Sequence, residues 1–273
     1  VILGDGLHDP RHPNHQATAE LIRACQGVEF FGYLDLGVHS PHHQVQNLEI
    51  EQVERRAEAW KALAVRGLLL DDYGYDFAVT RERQSAAVNR LHLLDLKAIA
   101  NSWDPRQALD AEPGPANPKG LPTPLRKGDF YLYESYLVRN GEWAGFKAWR
   151  SKAGTLSRLS ASTGVEILSC TTASPSCPVE EMWPFVATCA GLDGHRACAW
   201  GEPNFSASDN QAPWRDRPSL PLGLKGATRP RGSHSVERNC QQGLAVANYL
   251  SKKVSVEPIT PWWKKIFVRG GRA

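Results

Sequence analysis

At 273 residues the chain is long enough to bury a large core, and its net charge of +3 comes from 32 basic and 29 acidic side chains interspersed along it. That balance gives no charge footprint for nucleic acid or a membrane surface, and no apolar run approaches the length of a membrane-spanning helix. The size class is one α/β barrel, or one domain with an appendage.

The chain opens at Val1-Ile-Leu-Gly-Asp5, already strand-like, which predicts a processed chain or a fragment. A His/Pro/Asn-rich loop follows, then an amphipathic helix over Gln16 to Cys25. Glu29 to Gly37 reads as a strand closing on Asp35, and a loop with His39, His42 and His43 leads to a helix over Leu48 to Val65. Gly67-Leu-Leu-Leu-Asp71 is apolar at every position before its acid, as a parallel strand covered on both faces would be. Its continuation, Asp72-Tyr-Gly-Tyr-Asp76, crowds carboxylates and aromatics where α/β folds keep their ligands.

A helix over Arg81 to Leu94 precedes a strand from Lys97 to Trp103 and a long Pro/Gly-bearing loop from Pro105 to Gly128. Asp129 to Ser135 is a strand closing on Glu134. Helical sequence covers Glu142 to Ser162, and a strand from Val165 to Thr172 follows. A helix over Val179 to Ala190 and a strand from Ala197 to Asn204 complete the pattern. Seven strands alternate with helices, and nearly every strand ends in polar or aromatic residues. A doubly wound sheet concentrates such residues at one switch point, whereas a (β/α)8 barrel carries them on every strand. The expected fold is therefore α/β, a (β/α)8 TIM-type barrel lacking its first strand, over residues 1–205. An extension, irregular apart from short strands at Leu244 to Tyr249 and Lys253 to Val256, occupies residues 206–273. Tail or partner sequence is expected to cover the gap left by the first strand. The end of the tail, Pro261-Trp-Trp-Lys-Lys-Ile-Phe267, reads as a docked terminus.

The strand ends together nominate Asp5, Asp35, Asp71, Asp72, Asn101, Glu134, Thr172 and Glu202, with Tyr33, Tyr73, Tyr75, Trp103, Tyr133 and Trp200 among them. Acids among aromatics suit a sugar, whose C–H face stacks on a ring while its hydroxyls meet carboxylates. Cleaving a glycosidic bond needs two carboxyls, one protonated and one ionised. The competing reading has Asp5, Asp35, Asp71, Asp72 and Glu202 holding a divalent ion in a lyase or isomerase. A third is a barrel that binds carbohydrate without cleaving it. Of the loop histidines only His8, nearest a strand end, is placed in the site, because their spacing fits no zinc set. The six cysteines lack paired spacing; Cys177 with Cys189, or Cys25 with another, could pair in an oxidising compartment. No G-x-S-x-G elbow, G-x-G-x-x-G or P-loop is present. The expected partner is an oligo- or polysaccharide, with no metal or other cofactor.

Gly32-Tyr-Leu-Asp35, Trp60, Gly67-Leu-Leu-Leu-Asp71 and Tyr133-Glu134-Ser135, in this order and spacing, resemble the spherulin-4-like proteins and the glycoside hydrolases of family 114, the endo-α-1,4-polygalactosaminidases. The resemblance spans Val1 to Asn204. It implies a (β/α)8 barrel acting outside the cytoplasm, with a catalytic aspartate ending one strand and a glutamate ending the strand two further on. It makes Asp71 nucleophile and Glu134 acid/base in a retaining reaction. Asp72 is the rival to Asp71, and the Tyr-Gly-Tyr-Asp continuation is not general to that family.

Overall fold

A computed structural model describes residues 1–203, 221 and 223–258. The chain falls into two compact units, Val1–Glu134 with Ser151–Leu168, and Ser135–Arg150 with Ser169 onward.

The first unit carries helices α1 (His15–Ala24), α2 (Ile50–Ala62), α3 (Arg81–Leu93) and α4 (Pro105–Leu109) and strands β1 (Phe31–Asp35), β2 (Gly67–Asp71), β3 (Lys97–Asn101) and β4 (Phe130–Tyr133). The strands lie parallel in chain order, with Asp35 beside Asp71, Leu69 beside Ile99 and Asn101 beside Leu132. Leu68, Leu69 and Leu70 are all buried, each contributing roughly 1.5–3 kcal/mol on leaving water. Two glycines in the strands are needed for close packing. A Cβ on Gly32 would lie 2.3 Å from the buried Trp60 ring, and one on Gly67 would lie 2.2 Å from the Lys97 carbonyl. Trp60 also donates from its indole nitrogen to the Tyr33 carbonyl at 3.1 Å, which fixes α2 on β1.

Helix ends are specified locally. Glu49 and Gln52 form a capping box at α2, and the Thr80 hydroxyl accepts the Arg83 amide at α3. At the amino ends of the strands, buried Asp129 accepts from the Ala98 and Arg126 amides and from His92 Nε2, each at 2.9 Å. The strand expected at Val1 to Asp5 shrinks to one parallel bridge between Ile2 and Phe31. The chain then turns, with Gly6 at a φ of 77°. The long loop after β3 is ordered by α4 and by fully buried Asn117, whose side chain exchanges hydrogen bonds with Leu121 at 2.8 and 3.0 Å.

The remaining elements are the hairpin β5 (Val138–Arg139) with β6 (Glu142–Trp143), helix α5 (Phe146–Thr163), strand β7 (Glu166–Cys170), helix α6 (Val179–Asp193) and strand β8 (Ala197–Ala199). Helix α5 is thus later than expected, its first residues being taken by β6. Strand β7 begins in the first unit, beyond β4, and its last two residues are counted in the second. The order β1-β2-β3-β4-β7 is the order of a (β/α)8 ring; ring closure is not seen among the described residues.

The second unit also holds a four-stranded antiparallel sheet, β9 (Lys225–Arg231), β10 (Ser235–Cys240), β11 (Gly243–Asn248) and β12 (Lys253–Glu257), in the order β12-β11-β10-β9. The last two strands were legible in the sequence and the first two were not. Lys225–Arg231 has no buried residue and contains Pro230, which only an edge strand accommodates. In the same unit Asp193 accepts from the Tyr136 hydroxyl at 2.8 Å, the Trp149 indole at 3.0 Å and Arg150 at 2.7 Å, so this buried carboxylate is paired. Cys25, Cys177 and Cys189 are free thiols rather than paired. The terminal Trp262-Trp263 stretch lies outside the described residues.

Candidate active site

The register decides which strand-end residues share a face. Paired positions point the same way and side chains alternate along a strand. Asp35 and Asp71 are paired, Leu69 with Ile99 sets Asp71 level with Asn101, and Asn101 is paired with Leu132. Glu134, two residues past Leu132, falls on that same face.

The side chains there are joined. The Asn101 amide nitrogen donates to Asp71 Oδ1 at 2.8 Å and to Glu134 Oε2 at 3.0 Å. One amide nitrogen thus bridges an oxygen of each carboxyl. The Tyr33 hydroxyl donates to the other Asp71 oxygen at 2.8 Å. Burial, then the neighbouring Asp71 charge, pushes the Tyr33 phenol well above its ordinary value, so it stays a donor. Asp71 is thereby fixed at both oxygens, with Glu134 beside it.

Asp72 faces another way. The chain on either side of it is pinned, the Asp71 carbonyl accepting from the Leu36 amide and the Tyr73 amide donating to the Asn101 carbonyl, both at 2.9 Å. Between these bonds Asp72 turns with a φ of 51°, a left-handed conformation that aspartate tolerates better than most residues. Its buried carboxyl lies 2.7 Å from Nε2 of His43. Burial pushes the Asp72 carboxyl up to about 6, against the pull of the His43 hydrogen bond and with help from Asp71. The hydrogen bond to Asp72 in turn raises His43.

Asp35 clasps the loop that follows it, accepting the Gly37 amide at 2.8 Å and the Gln46 amide at 2.7 Å, and burial raises its carboxyl. Asp5 is exposed and accepts from the Gln46 side chain at 2.6 Å, with Arg56 at 3.6 Å. Asp5, Gln44, Gln46 and Arg56 line an open groove of about 510 Å³. The His8 ring lies against that of Trp60, tilted by 43° with ring centroids 5.3 Å apart, and burial lowers its imidazole.

Tyr73 is fully buried, so its ring packs in the core rather than facing a substrate. Tyr75 is half-buried, its amide bonded to the Gln107 side chain at 2.7 Å and its ring 5.9 Å from the Arg81 guanidinium. Trp103, two residues after Asn101, is 46% exposed. Its carbonyl accepts Lys152 Nζ at 2.8 Å, and the same ammonium stands 4.4 Å over the buried Tyr133 ring. Thr172, Trp200 and Glu202 belong to the second unit. There the Thr172 hydroxyl meets those of Ser135 and the Asn140 amide, each at 3.0 Å, and Trp200 is buried.

Sequence reasoning misses two residues, His43 beside Asp72 and Lys152 over the Tyr133 ring. His43 was weighed only as a zinc ligand, although its place in the loop directly after Asp35 was a usable signal. Lys152, on α5, had no signal at all. Among the described residues no group of three or more His, Cys, Asp and Glu side chains is arranged to hold a metal ion, and no helix is long and apolar enough to cross a membrane.

No protein-family model matches the chain, and no curated protein matches it either. Among solved structures it is similar to the glycoside hydrolase domain of PelA from Pseudomonas aeruginosa, with a TM-score of 0.45 and 15% identity over 67% of this chain and 82% of that one. It is similar to malate synthase from Haloferax volcanii at 0.44 and 13% over 81% and 66% of the two chains. A D-psicose 3-epimerase follows at 0.42 and 9% over 74% and 73%. Likenesses this distant assign no activity.

Proposed function

We propose that the chain is a glycoside hydrolase that cleaves an α-linked, amino-sugar-containing polysaccharide by a retaining, two-carboxylate mechanism on a (β/α)8-type framework. The observation that supports this reading is the shared Asn101 amide, which donates to one oxygen of Asp71 at 2.8 Å and to one of Glu134 at 3.0 Å and so keeps the two carboxyls together, as a retaining pair requires. The linkage, the sugar type and a place outside the cytoplasm rest on the sequence resemblance.

In this mechanism Glu134 gives its proton to the departing glycosidic oxygen while an Asp71 oxygen attacks the anomeric carbon. One C–O bond breaks as the glycosyl–Asp71 ester forms. Water, deprotonated by Glu134, then attacks the same carbon and releases Asp71, which restores both carboxyls. Tyr33 and Asn101 keep Asp71 aimed and exchange no proton. Exposed Trp103 provides a face on which a sugar ring stacks. Asp71, rather than Asp72, takes the nucleophile's role because the Asp72 carboxyl is held by His43.

The test is hydrolysis of a panel of α-linked hexosamine polymers by the native chain, Asp71→Asn and Glu134→Gln. Cleavage by the native chain, lost in both folded variants, is the expected result. Cleavage surviving in Asp71→Asn would move the nucleophile's role to Asp72. Sugar binding without cleavage in the native chain would replace the hydrolase by a carbohydrate-binding module.

A further inference from the structure

His43 lies where a metal-spacing argument gave it no role, and the structure supplies one. The loop between β1 and α2 is held down at three places. Asp35 accepts its Gly37 and Gln46 amides. The Phe77 carbonyl accepts the Val38 amide at 3.0 Å and the His39 amide at 3.2 Å. His43 closes the third, its Nε2 2.7 Å from Asp72 Oδ2 and its ring 5.5 Å from that of Phe77. These anchors span the ends of β1 and β2, the strands that present Tyr33 and Asp71.

Asp72 is the next residue after Asp71, and an unrestrained carboxylate there would compete for the same donors. Its backbone is held on both sides by hydrogen bonds at a φ of 51°. Only its side-chain torsion decides where the carboxyl points. The charged groups that face it are Asp71 from β2, Asp35 from β1 and His43 from the loop. Two of these repel a carboxylate and His43 attracts it.

Resting on the glycosidase reading, we propose that His43 is a positioning residue of the reaction. By holding Asp72 Oδ2 it keeps the second carboxyl of the strand end on the loop side, and leaves Asp71 as the aspartate that faces Glu134. It acts through Asp72 and does not touch the substrate.

The experiment compares the full native chain with His43→Phe, His43→Gln and Asp72→Asn. The glutamine amide can donate to Asp72 and the phenylalanine ring cannot. The expected result is a fall in kcat of about tenfold or more in His43→Phe with KM within about threefold, as an interaction felt in the transition state requires. His43→Gln should recover most of that loss. By NMR, the imidazole of His43 should titrate above an ordinary histidine in the native chain and move down in Asp72→Asn, a readout that needs no turnover. A native chain that cleaves none of the polymers overturns the glycosidase reading, and the role of His43 in it. Cleavage by the native chain with His43→Phe turning over equally well overturns the inference alone. So does a His43 titration unmoved by Asp72→Asn.

Discussion

The Asp71 and Glu134 carboxylates share one hydrogen-bond donor, the Asn101 amide, at 2.8 and 3.0 Å. These residues end or follow three neighbouring strands, β2, β3 and β4, so their spacing is set by the sheet rather than by flexible loops. A small amide between two carboxylates separates like charges and points both oxygens inward.

Asn101→Ala should lower kcat by about two orders of magnitude while the chain stays folded, comparable to removing one preorganised donor from an active site. Turnover on the polymer, with circular dichroism as the folding check, decides this. Retained turnover would separate the amide from the chemistry.

Tyr33→Phe removes the donor to the second Asp71 oxygen and leaves the ring in place. A hydrogen bond to a charged group contributes roughly 1.5–3 kcal/mol, so kcat/KM should fall about tenfold or more. Kinetics of the variant against the native chain measures it.

Stability should decline as pH rises through the titration of the Asp72–His43 pair. Asp72 ionises in the fold at about 6 rather than at its ordinary 3.8. Its raised value means that its stabilising contribution is whole below pH 3.8 and is lost on the way to about 6. His43 is also raised, so its contribution is whole below its ordinary 6.5 and disappears as pH climbs through the higher folded value. Melting temperature followed from pH 4 upward should show this decline, and Asp72→Asn should flatten its lower part.

Trp103→Ala should leave the melting temperature nearly unchanged, because the ring is 46% exposed. Oligosaccharide binding should weaken by about 0.5–1.5 kcal/mol, the scale of an aromatic contact. Calorimetry with a short oligomer reads this directly. Equal affinities would exclude a stacking face at this position.

Gly32→Ala should destabilise the first unit, since its methyl would fall 2.3 Å from the Trp60 ring. Overpacking of this kind costs about 1–3 kcal/mol, or more where both neighbours are fixed. Chemical denaturation provides the measurement, and Trp60→Leu in the same background should return part of the loss by opening space.

Much of the fold was local information. Continuous apolar runs marked β2 and β3, 3.6-residue periodicity marked α1 to α3, and the acids at strand ends marked one face of the first unit. Glycine and tryptophan in Gly32-Tyr-Leu-Asp35 and Trp60 were visible as a motif, although their reason, a ring lying on a strand without a Cβ between, was not. Strands β9 and β10 were hidden because pairing, of β10 with β11 and of β9 with β10, and not their own side-chain alternation, makes them strands. The sequence by itself determined the kinds of residue at the strand ends, and its family resemblance set Asp71 ahead of the rival Asp72. Tertiary structure gives the two carboxyls different partners. Register between strands tens of residues apart set Asp71, Asn101 and Glu134 on one face, and a left-handed turn sent Asp72 to His43. Neither relation leaves a trace in any one stretch of chain, because each is a distance between segments that only folding brings together.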